Sequence, residues 1–405
     1  MPWKFIDKKE ARRQFVLGRW RNEESMAALC RRFGISRQCG YEWWQRAQGG
    51  GADYTDRSHR TERAVTLAQR WQRRVHRLRR RYRYSGATQL LWYLRRAYPL
   101  GPWPSARTIG RWLSRKGLTR RPRRHAPDGP RVKVLVRTAH APNDVWTVDF
   151  KGWFRTRDGR RVCALTVRDL ASRYILCVVH MERTTERAVA TVMRRLFACY
   201  GLPRAIRVDN GPPFGGYGPY GWSTLTVSWI CLGIEVLYGR PGCPQDNAAH
   251  EQMHRVLHQQ TAQPAAANLQ AQQHRFERWR RHYNRDRPHQ ALGLQVPAAL
   301  YRRSSRRPQL RPWTYPPGWL LKRTDPRGRI RWQGRSRLIG QAFGGRTVAL
   351  RPMRRGIVNV YFGPHLLGQI HAADTTAIRA VTVRTTRQLR RGREPSPLPQ
   401  TLPSN

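Results

Sequence analysis

Asp149, Asp209 and Glu251 are the side chains of this 405-residue chain whose type and context best suit chemistry. Acids are scarce, 24 Asp and Glu against 78 Lys and Arg, so their positions carry information. Asp149 interrupts a strand-forming run, Val145-Trp146-Thr147-Val148-Asp149-Phe150, and Asp209 ends another before the turn Asn210-Gly211-Pro212. A carboxylate within or ending a buried strand is costly unless it is paired or binds a cation. Glu251 lies one and a half turns into a helix expected from Asp246 to Gln260, from which it can project back toward the strand ends. Three carboxylates converging from two strands and a helix suit a hard divalent cation, Mg²⁺ or Mn²⁺. Two such ions about 3.5 to 4 Å apart serve in-line phosphodiester displacement. Spacing alone leaves a plainer alternative open, in which Asp149 and Asp209 pair with Arg and Glu251 is a helix-surface acid.

The elements that must position these acids follow from residue pattern. Val145–Phe154, Val162–Val167 and Tyr174–Val179 are β-rich, with Arg157-Asp158-Gly159-Arg160 as a hairpin turn. Thr184 or Thr185 caps a helix that buries Val189, Val192, Met193, Leu196 and Phe197, and Gly201-Leu202-Pro203 stops it. Strand Ala205–Val208, helix Ser223–Leu232, strand Ile234–Tyr238 and loop Gly239–Gln245 precede the helix that carries Glu251. A further helix runs from Leu269 to Asn284. This alternation predicts a mixed α/β sheet. Beyond it, Ile330 and Trp332, Val348 and Leu350, and Val358, Val360 and Phe362 alternate with polar residues between Gly-rich turns, as in a small barrel or sandwich.

The N-terminal part is helical. Met26, Leu29, Cys30 and Phe33 make one buried stripe, Gly34 stops it, and Ser36 caps a helix to Gln48. That helix carries Arg37, Gln38, Tyr41 and Arg46, able to reach base edges as in a helix-turn-helix, or merely a solvated basic face. Leu67, Trp71, Val75, Leu78 and Tyr82 line one helix of a second helical unit, whose other, Arg-rich face, Arg79 included, is expected to attract phosphate; its last helix opens at Ser105 and turns Arg107, Thr108 and Arg111 toward DNA or merely toward solvent. The net charge of +54 runs through every segment, which predicts a polyanionic partner and argues against a membrane surface. No apolar run approaches a membrane span or a signal peptide, so a soluble, cytoplasmic protein is expected. Seven Cys without a Cys-x-x-Cys pair predict reduced, buried thiols.

Several segments match a family in order and combination. Val148-Asp149-Phe150, Val208 to Phe214, Leu232-Gly233-Ile234-Glu235, Arg240 to Asn247 and His250 to Leu257 resemble bacterial insertion-sequence transposases with a retroviral-integrase-type core. Tyr283 to Leu292 and Pro297-Ala298 resemble the post-catalytic segment of that family, and Leu29 to Arg37 its first helix-turn-helix. The resemblance implies an RNase H-like fold in which Asp149, Asp209 and Glu251 form an Asp-Asp-Glu triad holding Mg²⁺ or Mn²⁺, two ions in all. It also marks Asn210, Gly211 and Asn247 as shaping the site, with His254 and Arg255 one helical turn beyond the Glu. Two departures touch loop geometry: 41 residues separate Asp209 from Glu251, a longer gap than in many relatives because of the Gly215–Trp222 loop, and Cys243 replaces a basic or small residue. His250, one position before the Glu, is expected to make a DNA or structural contact rather than to bind metal.

The organisation expected is a helix-turn-helix domain over 1–51, a second over 62–119, a basic linker over 120–137, a catalytic domain over 138–300, a small β-domain over 310–385 and a disordered tail over 386–405. The function expected is a DNA transposase that binds inverted-repeat ends and joins them to target, acting as at least a dimer on double-stranded DNA near the bacterial nucleoid. Its rivals are a catalytically inactive DNA-binding repressor and a metal-dependent nuclease.

Overall fold

A computed structural model of the protein describes residues 7–49, 53–56, 62–119, 138–239, 248–310, 312–353, 356–373 and 376–380. The chain divides into two compact units, Met1–His76 and Arg77–Asn405, with the division falling inside the helix expected to open the second helical region.

The first unit contains α1 (Lys8–Trp20), α2 (Met26–Phe33) and α3 (Arg37–Gln48). Each helix starts on a side chain that accepts from its first turn: Asp7, Ser25 and Ser36. Gly34 closes α2 in the left-handed conformation that favours glycine. Phe15, Leu29, Phe33 and Trp43 form the core. Gly40 lets α3 approach α2, since a Cβ there would stand 2.5 Å from the Cys30 sulfur. Trp43 lies between two guanidinium groups, Arg12 at 4.3 Å and Arg46 at 4.5 Å from its ring centre.

Helix α4 (Glu62–Arg81) leads into the second unit, which continues with α5 (Ala87–Ala97) and α6 (Ala106–Arg115). Leu90, Leu94, Ile109 and Leu113 are buried. Arg79, from the Arg-rich face expected to attract phosphate, instead donates to the carbonyls of Ser85 and Leu118 and ties the end of α4 to the segments flanking α5 and α6.

The central sheet has strands β1 (Val145–Arg155), β2 (Arg161–Asp169), β3 (Ile175–His180), β4 (Ala205–Val208) and β5 (Glu235–Tyr238) in the order β3-β2-β1-β4-β5. β1, β2 and β3 form an antiparallel meander, while β4 and β5 run parallel to β1 through helical crossovers. α7 (Glu186–Tyr200) and α8 (Thr224–Ile230) contribute Val189, Met193, Phe197 and Trp229 to a core with Trp146, Leu165 and Ile206. In a second cluster, Met253 and Leu257 of α9 (Ala248–Thr261) and Phe276 and Trp279 of α10 (Leu269–Arg285) pack on Val162, Ala164, Ile175 and Val178. Asn284 pins α10 to the edge strand, its amide accepting from the Ile175 N–H and donating to the Ile175 carbonyl, both at 2.9 Å.

After the short helix α11 (Pro297–Leu300) come β6 (Leu320–Arg323), β7 (Arg329–Trp332), β8 (Arg335–Leu338), β9 (Thr347–Pro352), β10 (Val358–Phe362), β11 (His365–Ile370) and β12 (Arg379–Ala380). The expectation of a small barrel is not confirmed, since no closed sheet forms among the described residues. β12-β11-β10-β9-β6 is an open five-stranded sheet and β7-β8 a separate ribbon, joined to the β12 end by one bridge between Leu338 and Ala377. Short strands of two to six residues pack one face on Trp222, Val227 and Ile230, so burial does not require closure. The described cysteines are unpaired; Cys30 is buried as expected, but Cys199 is exposed on α7. No helix among the described residues is long and apolar enough to cross a membrane.

Candidate active site

Asp149 is in the middle of β1, and Asp209 follows the last residue of β4. The parallel register pairs Val145 with Ala205, Trp146 with Ile206 and Thr147 with Arg207. Two residues further along the same register Asp149 is level with Asp209. The chain leaves the sheet there through a tight turn: the Asn210 amide donates to the Gly239 carbonyl at 2.6 Å, beyond the end of β5. The Gly211 N–H bonds the Asp209 carboxylate. Gly215 closes the turn so tightly that a Cβ would stand 2.0 Å from the Asn210 oxygen.

Glu251 projects from the first turn of α9 into an open cleft of about 700 Å³, which Lys151, His254, Arg255 and His258 also line. Burial, then the charge of Asp209 and then that of Glu251 push the Asp149 carboxyl up to about 7. A carboxylate held by an arginine would move the other way, so burial, reinforced by repulsion among acids, governs this position. Partial desolvation also raises Asp209.

Behind Asp149 is a polar network that the sequence reading missed. Thr166 is paired with Asp149 across β1 and β2, is fully buried, and donates its hydroxyl to the Asp149 carbonyl at 3.0 Å. The same oxygen is 2.7 Å from Nε2 of His250 and 2.7 Å from Nε2 of His254. With its hydrogen committed, it can only accept from both rings, which assigns their protons to Nε2. His250 Nδ1 then accepts from the Thr147 hydroxyl at 2.6 Å. His254 Nδ1 is left as a lone pair 3.8 Å from Asp149 Oδ2. Asp149, His250 and His254 are close enough to suggest a metal cluster, but both nitrogens of His250 are used within the fold. Of the two contacts expected of His250, the structure has the structural one. The signal was available in part, since a His one position before Glu251 on a helix must face a different side.

These imidazoles make the fold sensitive to acid. Burial pushes His250 far down, and burial with nearby cations takes His254 and His289 to about 3. The unfolded chain binds protons at these sites near pH 6.5, so their stability contribution is complete above that pH and is lost as pH falls. Asp149 works the opposite way, holding a proton in the fold up to about 7. The three imidazoles outweigh Asp149 and the smaller rise at Asp209, so the fold loses on the order of 1 to 2 kcal/mol between pH 7.5 and 5.5. Urea denaturation at the two pH values measures it; equal stability would remove the buried neutral imidazoles.

The other expected site residues are spread over the molecule. Ser36 caps α3 and Thr108 bonds the Ser105 cap of α6. Arg37, Gln38 and Tyr41 are exposed together on α3, with Gln38 donating to Glu42, whereas Arg46 is stacked on Trp43. Arg107 and Arg111 are exposed on α6, and Arg255 on α9. Asn247 and Cys243 lie outside the described residues.

Comparison with known proteins agrees with this layout. Residues 139–244 and 232–297 match the integrase core domain, residues 321–377 the C-terminal domain of the IS481 family transposases, and residues 12–60 a helix-turn-helix domain. An uncharacterized 39.2 kDa protein of insertion element IS476 from Xanthomonas euvesicatoria is 31% identical over 209 residues, covering 49% of this chain and 56% of its own length. A 31.7 kDa protein of insertion element IS407 from Burkholderia multivorans is 29% identical over 166 residues, covering 39% of this chain and 55% of its own length. The chain thus spans about half the length of the curated relatives it matches. Among solved structures, the simian T-cell lymphotropic virus intasome in complex with PP2A regulatory subunit B56 gamma aligns at 16% identity and a TM-score of 0.37, over 76% of this chain and 100% of that one. The magnesium-bound catalytic core of HTLV-2 integrase aligns at 13% identity and a TM-score of 0.32, over 40% of this chain and 98% of that one. By these matches the chain carries a helix-turn-helix domain, an integrase core domain and a C-terminal domain of the kind found in IS481 family transposases.

Proposed function

We propose that the protein is a DNA transposase that binds the inverted-repeat ends of its element and catalyses cleavage and strand transfer at Asp149, Asp209 and Glu251. The observation that carries this reading is the parallel register that levels Asp149 with Asp209, together with the burial and the neighbouring acids that lift Asp149 to about 7. Crowded carboxylates of this kind fit a pair of Mg²⁺ or Mn²⁺ ions, whose charge would offset the repulsion. When bound, such ions activate a water or 3′-hydroxyl and stabilise the leaving oxygen. Asn210 and Gly211 fix the turn that aims Asp209, and His254, oriented by Thr166, borders Asp149 from α9. Asn247 and Arg255 are the further site-shaping residues of this reading.

Double-stranded DNA is the partner, with Ser36, Arg37, Gln38, Tyr41, Arg46, Arg107, Thr108 and Arg111 reading or gripping the ends. Two ends must meet, so the active form is at least a dimer, working at the nucleoid. A labelled duplex carrying the element end, incubated with protein and Mg²⁺ or Mn²⁺ and scored for nicked and joined products, tests the reading. Nicking without joining would favour a nuclease, and binding without either a repressor.

Recognition has its own test. Arg37 opens α3 with its side chain exposed beside Tyr41. Arg37→Ala weakens end binding by about 1 to 3 kcal/mol and relaxes base preference, with nonspecific affinity nearly intact. A footprint of unchanged selectivity would take Arg37 out of base readout.

A further inference from the structure

On the face of α9 opposite Glu251 is a cavity of about 390 Å³ between the start of α5 and the segment that follows α10. Ala249, Gln252, Met253 and Val256 turn toward it, while Glu251, His254, Arg255 and His258 line the catalytic cleft. Two arginines, Arg173 and Arg287, stand in its wall, and no acidic side chain does among the described residues. Gly86, as N-cap of the 11-residue helix α5, offers no capping side chain, so the first-turn N–H groups beside Thr88 and Gln89 face the same space. His289 also lines the cavity; it is 8% exposed and its Nε2 has no hydrogen-bond partner among the described residues. Just behind, Arg168 is 1% exposed and leaves Nε and Nη2 without partners, Nη1 alone reaching the Ala249 carbonyl. The charges of Arg287, Arg173 and Arg168 all act on His289. Concentrated, desolvated cations facing a space without acids are costly unless an anion enters.

We propose that this cavity is a phosphate site, in which Arg173 and Arg287 clasp the oxygens of a phosphate group and the first turn of α5 donates to them. The group is either a backbone phosphate of a DNA strand passing the reverse face of α9 or free inorganic phosphate. The site holds none of the three proposed catalytic carboxylates, so it stands or falls apart from strand transfer. Arg287 and His289 belong to the Tyr283–Leu292 motif, which acquires a role here beyond the Asn284 pin.

The test uses the full chain and three variants. Arg173 has a left-handed backbone, φ 61°, which Asn tolerates well, so Arg173→Asn removes the cation without straining the turn. Arg287→Gln is the second variant, and Arg187→Gln, on the exposed side of α7, is the control for diffuse charge. Inorganic phosphate titrated at constant ionic strength raises the melting temperature of wild type and Arg187→Gln saturably, with half-saturation about tenfold weaker or lost in Arg173→Asn and Arg287→Gln. In parallel, DNA affinity is measured against salt. If a strand supplies the phosphate, the slope of log affinity on log salt falls by about one in Arg173→Asn relative to Arg187→Gln. A phosphate response lost with an unchanged slope assigns the site to the free anion. If Arg173→Asn matches Arg187→Gln in both measurements, the cavity is not a phosphate site, whatever the folding of Arg287→Gln.

Discussion

If the proposed function holds, Glu251→Gln is expected to lose strand cleavage and joining by on the order of a thousandfold or more, while binding of end DNA survives. The substitution keeps size and hydrogen-bonding capacity but removes the negative charge that would hold a divalent cation at the mouth of the cleft. Asp149→Asn and Asp209→Asn behave alike, and the double variants are no worse than the singles, because ligands of one cluster act as a unit. Stability separates this from a structural role. Burial and two neighbouring acids lift the Asp149 carboxyl to about 7, so the ionised group opposes folding at neutral pH. Asp149→Asn therefore gains on the order of 1 to 3 kcal/mol at pH 7.5 even as activity disappears. A salt-bridged aspartate would lose stability on the same change. Denaturant unfolding and the end-joining assay on each variant decide the matter, and a Glu251→Gln protein that joins ends as well as wild type would sink the triad.

Thr166→Val is expected to cost about 3 to 5 kcal/mol although the two side chains have nearly the same shape. The hydroxyl sits at zero exposure and serves the Asp149 carbonyl and both imidazole N–H groups, so its removal leaves several buried polar groups unpaired at once. With His254 released, α9 no longer has its hydrogen-bonded register against β1 and β2, and joining falls together with stability. Thr166→Ser keeps the oxygen and restores most of both. A Val variant within about 0.5 kcal/mol of wild type would show that the network contributes little.

The local elements were legible in the sequence by itself. Stripes at helical spacing, β-rich runs, and caps at Ser36, Ser105 and Thr185 depend on interactions within a few residues, and the helices and strands formed close to where those signals placed them. The type and context of Asp149, Asp209 and Glu251 were equally visible, since acids are few and two of them fall in or after apolar strands. Tertiary structure alone set the Thr147–Arg207 register that levels the two aspartates, because strand pairing over such separations has no local signature. It also recruited Thr147, Thr166, His250 and His254, whose hydrogen bonds span 84 to 103 positions and whose partners no periodicity reveals. The open edge of the C-terminal sheet was likewise undecided by alternation, which marks inward and outward faces but not whether the last strand meets the first. Tertiary structure also placed Arg46 over the Trp43 ring and bonded Arg79 to the carbonyls of Ser85 and Leu118, since charge alone does not say which partner is nearest after folding.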